Sequence, residues 1–269
     1  MPRYFIEVSY KGTNYAGFQV QKNANSIQAE VSHALQIFFH NQFELTGASR
    51  TDAGVHARQN FFHFDFSPDA VIEKSGLTTP AKTRRKFDVQ DPDVVYHLNS
   101  ILPPDIVIKK IFSVTEYAHC RFDAIEREYR YYIYRHKDPF LNDRAYFYPY
   151  QLNLALMQDA AKVLLSHNDF GAFVKKNSQA KHYICHLKKS EWVCENDIFI
   201  YHVIADRFLR GMVKGLVGTM IQVGTGKISL ERFIEIVKTK DPGLSNFSVP
   251  AHALFLCGVS YSDNITQHL

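Results

Sequence analysis

The sequence has little of what would place it in an oxidising compartment or a lipid one. Four cysteines in 269 residues are too few for a disulfide framework, which points to the reducing cytosol. No apolar run reaches bilayer-spanning length, so no membrane segment is expected. Met1-Pro2-Arg3-Tyr4 runs straight into a strand pattern and leaves no room for a signal peptide. Net charge is also slight, +4 with histidine neutral, and says little by itself about nucleic acid. What is present is ordinary for a folded chain. A hydrophobic content of 46% excludes general disorder, and the length suits one large or two medium domains.

The charge that exists is clustered: Lys82/Arg84/Arg85/Lys86, Lys109/Lys110, Lys175/Lys176, Lys188/Lys189 and Arg207/Arg210/Lys214. Aromatics are abundant, with 15 Tyr and 21 Phe. Basic clusters with aromatics suit phosphate contact plus base stacking, although most of these rings belong to a core.

Along the chain, Arg3–Tyr10 alternates as a strand with one buried face, Tyr4, Ile6, Val8 and Tyr10 lying inward. Residues 11–19 form a loop whose two glycines allow another backbone close by. Asn25 is expected to cap a helix with Gln28 reciprocating, and Ile27, Val31, Ala34, Leu35 and Phe38 to face the core. Short strand runs follow at 43–48 and 60–66. Residues 67–93, broken by Pro and Gly and carrying the Lys82–Lys86 run, read as an exposed basic excursion. The second half repeats the layout. A tyrosine-rich strand spans 128–135, and a helix is capped by Asn153. Two strands, 186–194 and 198–206, are joined at Asn196-Asp197. A helix then spans about 208–223, with Arg210 and Lys214 on one face. A short helix from Ser229 to Lys238 and a last strand, Leu254–Tyr261, close the chain.

The stretch from Gly47 to Gln59 stands out. It gathers Arg50, Thr51, Asp52, His56 and Arg58 around Gly54. A bare turn needs only Gly with Asn or Asp; two arginines flanking an aspartate is more chemistry than a turn requires. Arg50-Thr51-Asp52-Ala53-Gly54-Val55-His56-Ala57 resembles the RTDxGVHA signature of the TruA family of tRNA pseudouridine synthases. The likeness continues through the chain outside 67–93. Tyr10, Gly12, Gly17 and Gln19 resemble YxGxxxxGxQ, and residues 99–106 resemble NxxLPPDI. Phe208-Leu209-Arg210-Gly211-Met212-Val213-Lys214 resembles F-hydrophobic-xxMVR, and Pro250–Leu256 resembles the PAxGLxL ending.

The resemblance implies an α+β pseudouridine synthase fold. Two similar strand–helix–strand–strand subdomains, residues 1–115 and 116–269, would share a mixed, mostly antiparallel sheet with helices packed on it and the active cleft between them. It implies a cofactor-free, cytoplasmic homodimer acting on tRNA, on uridines of the anticodon stem-loop at about positions 38–40, where shape guides binding. That isomerisation breaks the N1–C1′ bond and rejoins the base through C5, with no redox change. One ionised carboxylate beside the ribose suffices, as nucleophile at C1′ or base at C2′. By the resemblance that carboxylate is Asp52, with Tyr129 stacking on the flipped base, Arg50 assisting flipping and Lys214 the basic partner of the aspartate. His56, Arg58 and Arg210 join the substrate-binding set.

Other readings bear on the same residues. His182, Cys185, His186, Cys194 and His202 could suggest zinc, but there is no CxxC pair and no second tight pair, so no metal is expected. Cys185 also stands where the family has an arginine, and Gly211 and Ala253 are further departures. These leave room for the same reaction on another RNA such as rRNA. A binding protein without catalysis is disfavoured, because binding alone does not call for a carboxylate among arginines.

Overall fold

The computed structural model describes residues 1–67, 88–175 and 180–266. It divides into two compact units: residues 1–124 with 261–269, and residues 125–260. The division falls at 124/125 rather than at 115/116, and the end of the chain returns to the first unit.

The first unit runs β1 (Arg3–Tyr10), α1 (Ile27–Phe39), β2 (Thr46–Gly47), β3 (His56–Asp65), α2 (Pro92–Ile101) and β4 (Ile106–Val114). β1 lies between β4 and β3, antiparallel to both, with Ile6 opposite Ile111 on one side and Phe62 on the other. The alternation in β1 predicts one buried face, but both are buried. Tyr4, Ile6 and Val8 lie on one side; on the other, Phe5 meets Phe61, Phe112 and Tyr261 within 5.5–6.4 Å. Aromatic rings fill the sheet so thickly that a covered face still reads as alternating.

Several boundaries differ from expectation. Ser26, not Asn25, caps α1 by accepting from Ala29 N at 3.3 Å. Gln28 does not reciprocate; its amide accepts from Val20 N at 3.1 Å and donates to Leu45 O at 2.7 Å. Phe39 rather than Phe38 is the last buried residue of that helix. β2 is only two residues long, and β3 begins at His56 instead of residue 60. At the far end of the expected excursion, Asp91-Pro92-Asp93 opens α2. Asp91 accepts from Asp93 N at 2.9 Å and Pro92 sits in the first turn, where its missing N–H costs nothing. Residues 68–87, with the Lys82–Lys86 run, lie outside the described residues.

The second unit runs β5 (Ala124–Tyr134), β6 (Tyr146–Phe147), α3 (Leu154–Leu164), β7 (Leu187–Glu195), β8 (Ile198–Ala205), α4 (Met212–Gly224), α5 (Leu230–Thr239) and β9 (Leu254–Tyr261). Its strands order β9-β5-β8-β7; β6 joins β5 in parallel, while β5–β8 and β7–β8 are antiparallel. The β7–β8 turn places Asn196 at φ 50° and Asp197 at φ 62°, the paired left-handed geometry that matches strand twist. Asn153 caps α3 by accepting from Leu156 N at 3.1 Å. The fold is therefore α+β, strand–helix–strand–strand recurring in each unit.

Candidate active site

Asp52 sits in the loop that brings the chain from β2 into β3, half-exposed between exposed Ala53 and buried Thr51; Arg50 is exposed. The loop is closed on itself by Val55 N donating to Asp52 O at 3.1 Å. It is also backed by the segment after β1. Phe18 N donates to Thr51 O at 3.1 Å and Gly12 N to His56 Nδ1 at 3.0 Å. Two glycines permit this approach. A Cβ on Gly12 would lie 2.1 Å from Val55 O; Gly17 has φ +117° and a Cβ there would lie 3.1 Å from Thr51 O, a conformation L side chains rarely adopt. Asp105 holds the same segment from β4's side, accepting from Tyr15 Oη at 2.5 Å and, through its carbonyl, from Lys11 N at 2.9 Å. Asn99 in turn pairs both its amide atoms with Ile108, 2.8 Å each way.

The other expected residues fall in different settings. His56 is buried at the start of β3, its Nδ1 taken by Gly12 N. Arg58 is on the same strand but exposed, and its carbonyl accepts from Lys109 Nζ at 3.0 Å. In the second unit Tyr129 lies on β5 opposite Val203, 8% exposed, its ring edge-on to Phe208 at 5.0 Å. The helix expected from residue 208 starts only at Met212, because Gly211 turns left-handed at φ +73° just before it. Arg210 thus lies outside the helix, exposed, and does not share a helical face with Lys214. Lys214 lies in the first turn of α4, half-exposed. A cation there opposes the helix dipole.

The five residues weighed as a zinc set do not gather. His182 faces Arg207 at 2.8 Å, His186 faces Asp206 at 2.8 Å and His202 faces Glu128 at 3.0 Å. Cys194 is exposed. Cys185 is fully buried, its N–H on Asn168 O at 2.8 Å, and burial pushes its thiol up to about 12. Position 185 points into the core. A different cluster, His63, His119 and Cys120, does come together. Its ring nitrogens are already engaged: His63 Nδ1 accepts from Cys120 N at 3.2 Å, and His119 Nδ1 from Arg121 N at 3.1 Å and Phe122 N at 3.3 Å. A neutral imidazole has one lone pair, and here backbone N–H groups hold it. Among the described residues no helix is long and apolar enough to cross a membrane.

Comparison with known proteins bears on the same segments. A family model described as tRNA pseudouridine synthase matches residues 160–262. A tRNA pseudouridine synthase A of Azobacteroides pseudotrichonymphae is 41% identical over 268 residues, covering 100% of each chain. One from Parabacteroides distasonis is 38% identical over 98% of each chain. One from Staphylococcus aureus is 31% identical over 97% of this chain and 92% of its own. The chain belongs to the tRNA pseudouridine synthase A family.

For this synthase-family chain the motifs divide by task. Tyr10, Gly12 and Gly17 of the first motif all touch the loop that carries Asp52. In the NxxLPPDI segment, Asp105 holds the first-motif segment through Tyr15 and Lys11, and Asn99 ties its helix to Ile108 on β4. Sequence reading missed these supporting contacts of Tyr15, Asn99 and Asp105. For Asn99 and Asp105 the signal was available in the motif itself.

Proposed function

We propose that the protein isomerises uridine to pseudouridine in tRNA, on uridines of the anticodon stem-loop at about positions 38–40. Asp52 acts at the ribose of a flipped-out uridine, Tyr129 stacks on its base, and Arg50 assists the flip. Lys214 keeps the aspartate ionised, since a cation favours the charged carboxylate. Arg58 and Arg210, both exposed, contact phosphates. His56 acts from behind, bracing Gly12 against the loop. The enzyme works in the cytoplasm as a homodimer without a cofactor. One observation carries the reading: an aspartate held half-exposed beside an exposed arginine, on a loop tied by backbone hydrogen bonds to a glycine-bearing segment. A preorganised carboxylate is what this chemistry asks of a protein.

The test is to map pseudouridine in tRNA and rRNA with and without the protein, and with Asp52→Asn. Pseudouridine in the tRNA anticodon stem-loop from the parent and none from Asp52→Asn is expected, with RNA affinity close to the parent's because the change removes charge and little volume. Modification confined to rRNA would overturn the substrate; turnover by Asp52→Asn would overturn the catalytic assignment.

A further inference from the structure

Between Arg50 and Asp52 the side chain of Thr51 turns inward. Its Oγ1 lies 2.8 Å from Tyr10 Oη. The same phenol oxygen accepts from Asn60 Nδ2 at 3.2 Å, and either hydroxyl can donate in the Tyr10–Thr51 bond. Asn60 Nδ2 also donates to Ser49 O at 2.8 Å, while its Oδ1 accepts from Ser49 N at 3.2 Å and from Phe61 N at 2.9 Å. Both donors and both acceptor sites of that amide are therefore used. Asn60 is 0% exposed, Tyr10 5% and Thr51 7%. Polar groups this deep in an apolar core cost free energy unless paired, and paired they specify one arrangement.

The chain joins three elements: Tyr10 ends β1, Asn60 lies in β3, and Thr51 is the loop residue before Asp52. The Thr51 carbonyl is fixed as well, by Phe18 N. With side chain and carbonyl of Thr51 both held, the peptide leading into Asp52 has little freedom. We infer that Tyr10, Asn60 and Thr51 form a buried hydrogen-bonded relay that sets the direction of the Asp52 carboxylate; this rests on Asp52 being the catalytic group. All three are positioning residues and none touches substrate.

The test uses the full chain with a tRNA transcript, measuring single-turnover rate at saturating RNA, the dissociation constant and the melting curve. Tyr10→Phe and Thr51→Val each keep shape and remove a hydroxyl. Each is expected to slow the single-turnover rate about tenfold or more, since small misplacements of a catalytic group are costly, with affinity within about twofold because no RNA contact is lost. Thr51→Ser restores the hydroxyl and should return most of the rate. The double variant should be no slower than the slower single, because both cut one chain. Parent-like rates in folded Tyr10→Phe and Thr51→Val, or a loss confined to affinity, would overturn the relay. Should Tyr10→Phe melt early, the Thr51→Val and Thr51→Ser pair decides alone. A parent that makes no pseudouridine would sink the proposed function and this inference together; an active parent with unaffected variants would sink only the relay.

Discussion

Tyr15 Oη donates to Asp105 Oδ1 at 2.5 Å, joining residues 90 apart in the chain. Asn14 Nδ2 reaches the other carboxylate oxygen at 3.4 Å, and Lys11 N the Asp105 carbonyl at 2.9 Å. One aspartate thus ties down the segment that backs the Asp52 loop. Burial first, and the Asp105 carboxylate second, push the Tyr15 phenol pKa upward. Tyr15→Phe removes the donor and is expected to cost about 1.5 kcal/mol, the lower range for a hydrogen bond to a charged group that keeps some water contact. Urea unfolding measures it, and the single-turnover rate should fall alongside. Unchanged stability would mean that water replaces the phenol at no cost.

Much of this support was legible only in part. β1 and β9 were readable because aromatic and β-branched residues recur over eight positions with clear ends. Asn153 announced its helix as a cap, whereas Ser229, expected within its helix, caps it from outside by accepting from Arg232 N. The misreadings have physical causes. Asn25 and Ser26 are both capping types, and the choice between them is made by where Gln28 finds partners, at Val20 and Leu45. Asp-Pro-Asp reads equally as a loop breaker and as a helix start. Gly211 delays α4 by turning left-handed, which a continuing apolar period conceals. The carboxylate loop itself was plain from its residues; the Tyr10–Thr51–Asn60 chain joins positions 41 and 50 apart, which no local pattern displays.

His63 gives the fold a defined acid response. Burial, then neighbouring His119 and Arg3, push it down to about 4, from about 6.5 in an unfolded chain. The unfolded state therefore binds the proton more readily, and stability is lost as pH falls from about 6.5 to about 4, by at most about 1.4 kcal/mol per pH unit per proton. Asp65, hydrogen-bonded to Arg3, and Asp169, hydrogen-bonded to Lys240, are held below the ordinary carboxylate range; they lose stability in the same direction, but only below about pH 4. Urea midpoints at several pH values should decline through that upper window. His63→Gln should flatten the decline, and an unchanged slope would assign it to other histidines.

Tyr129 and Tyr131 lie on one face of β5 and differ in burial. Tyr131 is fully buried and donates to Pro250 O at 2.9 Å, so it belongs to the core. Tyr129 retains 8% exposure beside Phe208. Tyr129→Phe should leave RNA binding and turnover near the parent's. Tyr129→Ala should lose about 1–3 kcal/mol of stacking from RNA affinity, read as a dissociation constant on protein whose fold is verified by melting. Parent-like affinity and rate in Tyr129→Ala would move the stacking role elsewhere.

Lys214 makes opposite demands on stability and on chemistry. In the first turn of α4 its charge opposes the helix dipole, a cost of about 0.3–1 kcal/mol that Lys214→Met removes. If the lysine is retained to keep Asp52 ionised, the same substitution should depress the single-turnover rate, because a carboxylate deprived of its cation takes up a proton more readily. The variant is therefore expected to bind tRNA with most of the parent's affinity and to turn over more slowly. An unchanged rate would leave another cation beside the aspartate, with Arg50 next in line.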